Sequence, residues 1–239
     1  MSKIVSKILS RAMMIQEKRL AVISNNLANV NTSGYKSVQV SFEVPQLVTS
    51  ETQSVPHSLP TMSSYADLSN ASLLETKSLL DVAIEGNGFF VIGVPEGVFY
   101  TRDGRFTIDT EKRLVTSSGH PLMGVDGEII IDGQDITIEP DGTIYSGGQP
   151  TGRIKIVDFE KKELLQPVGI SLFEFTGEDR GIIPAEEYSV RQGFYEASNV
   201  DIMKEMVKLI DVLRGFEAYD KAKKIAGDTT KQVVDLIAK

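Results

Sequence analysis

Apolar positions recur at spacings of three and four at both ends of the chain and in short alternating runs between them, which predicts helix, then strand, then helix. Over residues 2 to 30, Val5, Leu9, Ala12, Gln16, Leu20, Ile23, Leu27 and Val30 form nearly one continuous seam, interrupted by Gln16. Ile4, Ile8, Ile15 and Val22 add a second stripe, giving this helix more apolar surface than one neighbour covers. Asn25, Asn26 and Asn29 compete for backbone hydrogen bonds, so packing rather than intrinsic propensity has to stabilise it. Asn31-Thr32-Ser33-Gly34 ends the helix, with Gly34 free to adopt the left-handed conformation of a closing turn.

The pattern then fails. From 37 to 79 apolar residues are scattered among Ser, Thr and Gln, and Pro45, Pro56 and Pro60 interrupt, which predicts an extended linker with short β segments at Val38 to Val44 and near Leu73 to Thr76. From 80 to 195, runs of Val, Ile, Phe and Tyr alternate with Gly, Asn and Asp, predicting an antiparallel β domain, a sandwich or barrel-like fold with its own core. Gly86-Asn87-Gly88, Asp103-Gly104 and Asp132-Gly133 read as hairpin turns between flanking strands, and Thr143–Tyr145, Arg153–Phe159 and Ser171–Phe175 add further strands.

Residues 196 to 239 read as helix again, its start placed at Ser198 by a capping box with Asp201. Ile202, Met206, Leu209, Leu213 and Phe216 form one stripe, widened by Met203, Val207 and Ile210, while Gly215 and Gly227 weaken the helix. The organisation expected is therefore an N-terminal helix with its turn (1–36), a linker (37–79), a β core (80–195) and a C-terminal helix (196–239). Each terminal helix needs a partner, and the other one is the obvious choice.

Composition narrows the function. No run reaches the roughly 18 to 20 apolar residues that cross a bilayer, and no basic head precedes a continuous apolar segment, so neither a membrane helix nor a cleaved signal is expected. With a formal net charge of -8, a general nucleic-acid binder is not expected, although Lys3 to Lys36 carries basic residues against the single acid Glu17. The absence of cysteine excludes disulfides and thiol chemistry. Gly86-Asn87-Gly88 precedes a strand rather than the helix a phosphate loop requires, and Asp126, Asp132, Asp135 and Asp141 lack the alternation of a calcium loop. His57 and Ser117-Ser118-Gly119-His120 read as loop residues, so the chain is expected to be no enzyme, without catalytic residues, metal or cofactor.

Ser24-Asn-Asn-Leu-Ala-Asn-Val-Asn-Thr-Ser-Gly-Tyr-Lys36 resembles the N-terminal signature of the bacterial flagellar rod and hook proteins. Leu80 to Ile92, Tyr100 to Asp109, Gly119 to Gly124 and Gln192 to Asp211 carry further resemblance, so that most of the chain is similar to that family. Gly119-HPLMG, Ile138-EPDGTIYS and Gly152-RIKIVDFE are most like its proximal-rod branch. The resemblance implies a structural axial subunit that transmits torque, whose terminal helices pair in a coiled-coil-like tubular assembly with the β domain outside. It also implies contact with copies of itself, with other rod and hook proteins and with the flagellar export apparatus, in the periplasmic basal body and without membrane insertion. The assembly interface expected from it comprises Leu20, Ile23, Asn25, Asn26, Leu27, Ala28, Asn29, Val30, Thr32, Gly34 and Tyr35, with Ser198, Asn199, Val200, Met203, Met206, Val207, Ile210 and Leu213. The alternatives are a distal-rod or hook-type subunit and, from another class, a β-domain binding module dimerised by its terminal helices.

Overall fold

The computed structural model describes residues 2–43, 61–95, 97–133 and 135–237. The middle of the predicted linker, 44–60, including Pro45, Pro56, His57 and Pro60, lies outside them. Two helices, α1 (Ser2–Ala28) and α2 (Ile202–Ile237), make one unit, and residues 29–200 make the other.

In the helical unit, α1 stops two residues short of Val30, where Thr32 N donates to Asn29 O (3.1 Å) in a turn. α2 begins at Ile202 rather than Ser198, because the cap is Asp201: its Oδ1 accepts from Lys204 N at 3.1 Å, whereas Ser198 Oγ accepts from Val200 N. The 36 residues of α2 span about 54 Å. Asn26 lies against Glu205 and Gln16 against Gly215, so the two helices run antiparallel. The inward face of α2 carries Glu205 and Val212, both buried, with Leu209, Phe216 and Tyr219 half-buried. This is not the predicted stripe, of which only Leu209 and Phe216 turn inward.

The second unit is mainly β. Its strands are β1 (Val38–Glu43), β2 (Thr61–Ala66), β3 (Leu73–Glu75), β4 (Val82–Gly86), β5 (Phe89–Val94), β6 (Gly97–Thr101), β7 (Phe106–Ile108), β8 (Leu114–Thr116), β9 (Met123–Gly124) and β10 (Gly127–Glu128). The chain continues with β11 (Ile136–Ile138), β12 (Thr143–Ser146), β13 (Gln149–Arg153), β14 (Ile156–Phe159), β15 (Leu165–Val168), β16 (Leu172–Phe175), β17 (Ile182–Pro184), β18 (Tyr188–Gln192) and β19 (Phe194–Glu196). The largest sheet is antiparallel with the order β15-β16-β6-β5-β14-β17. It does not close into a barrel. Pro167 in one edge strand and Pro184 in the other lack the N–H that further pairing would require.

Central strand β5 explains the most apolar run of the chain. Side chains alternate across a strand, so Phe90 and Ile92 enter a core with Val82, Ile84, Phe106, Leu122 and Ile144, while Phe89 and Val91 enter a second with Tyr100, Phe159 and Phe173. Both faces are covered, and apolar residues are therefore needed at every position. Edge-to-face ring contacts, such as Phe90 with Phe106 at 5.3 Å and Tyr100 with Phe159 at 4.8 Å, organise each side.

None of the three predicted hairpins forms. Strand β4 pairs with β18 and β5 with β6, so Gly86-Asn87-Gly88 carries the chain from one sheet to another, with Asn87 N bonded to Glu187 O at 3.0 Å. Asp103-Gly104 likewise leads from β6 into the separate β7–β8 pair. A Cβ on Gly104 would lie 1.6 Å from Val82 O, so the glycine serves a backbone-to-backbone approach rather than a hairpin. Asp132-Gly133 joins β10, which pairs with β9, to β11, which pairs with β12. Hairpin turns instead occur at Val125-Asp126, Gly147-Gly148 and Gly169-Ile170-Ser171.

Candidate assembly interface

The signature segment has two halves that do different things. Its second half, Asn29 to Lys36, is together with Ser37 a tightly fastened part of the β unit. Gly34 has φ +65°, and a Cβ there would sit 2.1 Å from Asp103 N. Only glycine allows the chain this close to the β6–β7 turn. Gly34 N donates to Glu196 O at 2.8 Å, Ser33 Oγ donates to Asp103 Oδ1, and Arg105 Nε donates to Ser33 Oγ at 2.7 Å. Asn199 completes the fastening: its N donates to Tyr35 O, its Oδ1 accepts from Ser37 N at 2.7 Å, and its Nδ2 donates to Asp67 O at 2.8 Å.

Beneath this turn is a buried ionic cluster. Lys36 Nζ donates to Glu196 Oε1 and to Ser69 O, both at 2.6 Å, while Arg102 Nη1 donates to Glu196 Oε2 at 3.2 Å and Nη2 to Gly86 O at 2.8 Å. Ala71 N adds a further bond to Glu196 Oε1 at 2.8 Å. All three charged side chains are buried. Burial lowers the Lys36 ammonium below its ordinary pKa of 10.5 against the opposing pull of Glu196, and lowers the Arg102 guanidinium in the same way. Hydrogen bonds to Glu196, Ser69 O and Gly86 O fix the geometry of the cluster. It joins the segment entering the β unit, Asn29–Ser37, to the segment leaving it, Glu196–Val200. Sequence reasoning missed all three residues, and spacing carries no signal that would have paired them.

The first half of the signature lies on α1. Ile23 and Asn26 are buried, Leu20 and Leu27 half-buried, and Asn25 and Ala28 exposed. Asn26 Nδ2 donates to Glu205 Oε2 at 3.4 Å, and Lys208 Nζ donates to Glu205 Oε1 at 2.6 Å. Of the other expected interface residues, Gly34 and Tyr35 are buried within the β unit, where Asn29, Val30, Thr32, Ser198, Asn199 and Val200 are half-buried. On α2, Met203, Met206, Val207, Ile210 and Leu213 are exposed together with Ile202, a contiguous apolar face at helical spacing. Soluble chains rarely present such a run without a partner to cover it.

The acidic turns and the Ser117–His120 segment form local structure. Asp141 Oδ1 accepts from Thr143 N at 2.9 Å, and Thr116 N donates to His120 O at 2.8 Å across a turn. Among the described residues, no group of three or more His, Cys, Asp or Glu could hold a metal ion, and no helix is long and apolar enough to cross a membrane.

Comparison with known proteins matches three family models along the chain. These are the flagella basal body rod protein at residues 7–36, the flagellar hook protein FlgE/F/G D1 domain at 83–146, and the flagellar basal body rod FlgEFG protein C-terminal region at 191–236. The chain is 34% identical to the flagellar basal-body rod protein FlgG of Borreliella burgdorferi, covering 88% of this chain and 89% of the relative. It is 33% identical to FlgF of Mesorhizobium japonicum (86% of each chain) and 31% identical to FlgF of Caulobacter vibrioides (97% and 96%). With helical ends and a β centre each matched by its own model, the chain belongs to the flagellar basal-body rod protein family, FlgF/FlgG, as a structural subunit of the rod.

Proposed function

We propose that this chain is a proximal-rod subunit that assembles with copies of itself and with neighbouring axial proteins, passing torque through its paired terminal helices. The observation that carries this reading is the exposed apolar face of α2, Ile202, Met203, Met206, Val207, Ile210 and Leu213. In a heterologous packing whose rotation does not close, each subunit covers that face on the next, which generates a tube rather than a ring. The antiparallel α1–α2 pair is then the axial element in a coiled-coil-like packing, and the β unit is a sandwich-like body with two cores. The clamp around Glu196 makes the two chain segments at that body move as one, as torque transmission requires.

The proximal position is supported by the FlgF relative that matches almost end to end, and by Gly119-HPLMG and Gly152-RIKIVDFE. FlgG relatives of similar identity favour the distal rod as the second reading. Passage through the flagellar export apparatus to the periplasm goes with either. Electron cryotomography of cells lacking this gene alone separates the two: a rod missing, or ending near the inner membrane, supports the proximal position, and a rod truncated further out supports the distal one. Intact flagella would refute both.

A further inference from the structure

The two faces of α2 are used the opposite way round from what their apolarity favours. Ile202, Met206, Leu209, Leu213 and Phe216 form the more apolar stripe, yet α2 turns the neighbouring stripe, Glu205, Leu209, Val212, Phe216 and Tyr219, toward α1. The stripes share Leu209 and Phe216 and lie about 60° apart around the helix axis. A small rotation would bury Met206 and Leu213 and return the Glu205 carboxylate to water, the outcome that hydrophobic burial alone prefers. Instead Glu205 is 4% exposed and Met206 49%.

Two contacts hold the less apolar stripe inward. Asn26, itself 1% exposed, donates from Nδ2 to Glu205 Oε2 at 3.4 Å, supplying the carboxylate with a partner inside the helix pair. Gln16 fills the space over Gly215, where an added Cβ would meet its Nε2 at 3.2 Å and Cδ at 3.3 Å. The Gln16 Oε1 is buried without a hydrogen-bond partner, so the side chain sits there at a polar cost. As isolated features, a polar residue in the α1 seam and a glycine inside α2 are defects. Placed against each other, they form a fit that the rotated helix would lose, because rotation carries Gly215 away from Gln16.

We infer that Asn26 with Glu205, and Gln16 with Gly215, select the rotational setting of α2 and thereby keep its apolar face outward and available. The setting itself is read from the helical unit; its purpose, preserving the face for neighbouring subunits, rests on the proposed function. Without the selector, the chain would cover the Met206 and Leu213 side of its own assembly surface. Asn26, Glu205, Gln16 and Gly215 are accordingly positioning residues, acting through the orientation of Met206, Ile210 and Leu213.

Two native methionines report the setting without a label. Met206 lies on the competing stripe, whereas Met203, 74% exposed, remains at the surface in either setting. In the purified full-length chain treated with hydrogen peroxide, Asn26→Leu, which leaves Glu205 with Lys208 of its own helix but without its Asn26 partner on α1, is expected to slow Met206 oxidation about tenfold relative to Met203, as peptide mass spectrometry reads it. Gly215→Leu, which fills the slot from the other side, should produce the same drop. The double variant Asn26→Leu with Glu205→Leu makes the present inward stripe apolar and should restore the parent ratio. A Met206 to Met203 ratio that is unchanged or raised in both single variants overturns the inference. If Met206 becomes protected but Asn26→Leu still enters basal bodies at the parent level, the rotational selection stands and the assignment of this face to assembly falls.

Discussion

Glu196 Oε1 lies 2.6 Å from Lys36 Nζ, closing a loop of 160 residues through a buried ion pair. Arg102 shares the same carboxylate through Oε2, so a single glutamate binds the entry segment, the exit segment and the body of the β unit. Removing its charge leaves two buried cations without their counter-ion. Glu196→Gln is therefore expected to destabilise the β unit by about 3–5 kcal/mol, because stranding a buried charge costs far more than the intact pair contributes. Chemical denaturation followed by tyrosine fluorescence measures this directly; an unchanged midpoint would show that the cluster is dispensable.

Gly34 tests the same clamp through the backbone. Any side chain there faces both a positive φ and the backbone of Asp103 at 2.1 Å. Gly34→Ala should cost more than about 2 kcal/mol, above the penalty for the conformation alone, since main chain cannot rotate aside as a flexible side chain can. A thermal melt of the variant within a degree of the parent would contradict the close approach.

The start of α2 carries a pH dependence of defined sign. Hydrogen bonds from the Lys204 backbone, followed by a smaller contribution from the Lys204 side chain, lower the Asp201 pKa below its ordinary 3.8. A carboxylate lowered by folding stabilises the fold above its unfolded value, and that stabilisation is lost as pH falls through the lower folded value. Amide protection at Lys204 should hold at and above pH 3.8 and collapse below it, whereas Asp201→Asn, which caps without titrating, should lack that acid transition. Equal acid sensitivity in both proteins would assign the fraying to another group.

The helices and the β centre were legible because their apolar periods differ and because each is long. Phe89 to Ile92 could be read as a buried strand, but its coverage on both faces depends on residues distant in sequence, Val82, Phe106 and Leu122 in one core and Leu68, Phe159 and Phe173 in the other, which no local pattern encodes. The hairpin expectations failed for a related reason. A Gly-Asn-Gly or Asp-Gly turn is chosen by local backbone energetics, whereas the partner of the following strand is chosen by the whole sheet. The cap moved from Ser198 to Asp201 because both residues suit the position and only the hydrogen-bond geometry separates them. The inward stripe of α2 was misread because an apolar count cannot anticipate that Asn26 provides a buried partner for Glu205. Lys36, Arg102 and Glu196 lie in the segments that carry the family resemblance, but nothing in their spacing pairs them, since their association exists only once the β unit has folded.

The outward face of α2 is the surface by which we propose the subunit joins the rod. Ile210, 49% exposed, can accept a charge without disturbing the packing of its own chain, so Ile210→Asp separates assembly from folding. The decisive measurement is the amount of Ile210→Asp protein in basal bodies purified from cells that lack the native copy, set against its folding and abundance in the same cells. The expected result is a folded, normally abundant subunit that is absent from basal bodies in non-swimming cells. Incorporation at the native level with normal swimming would show that this face is not where the rod is built.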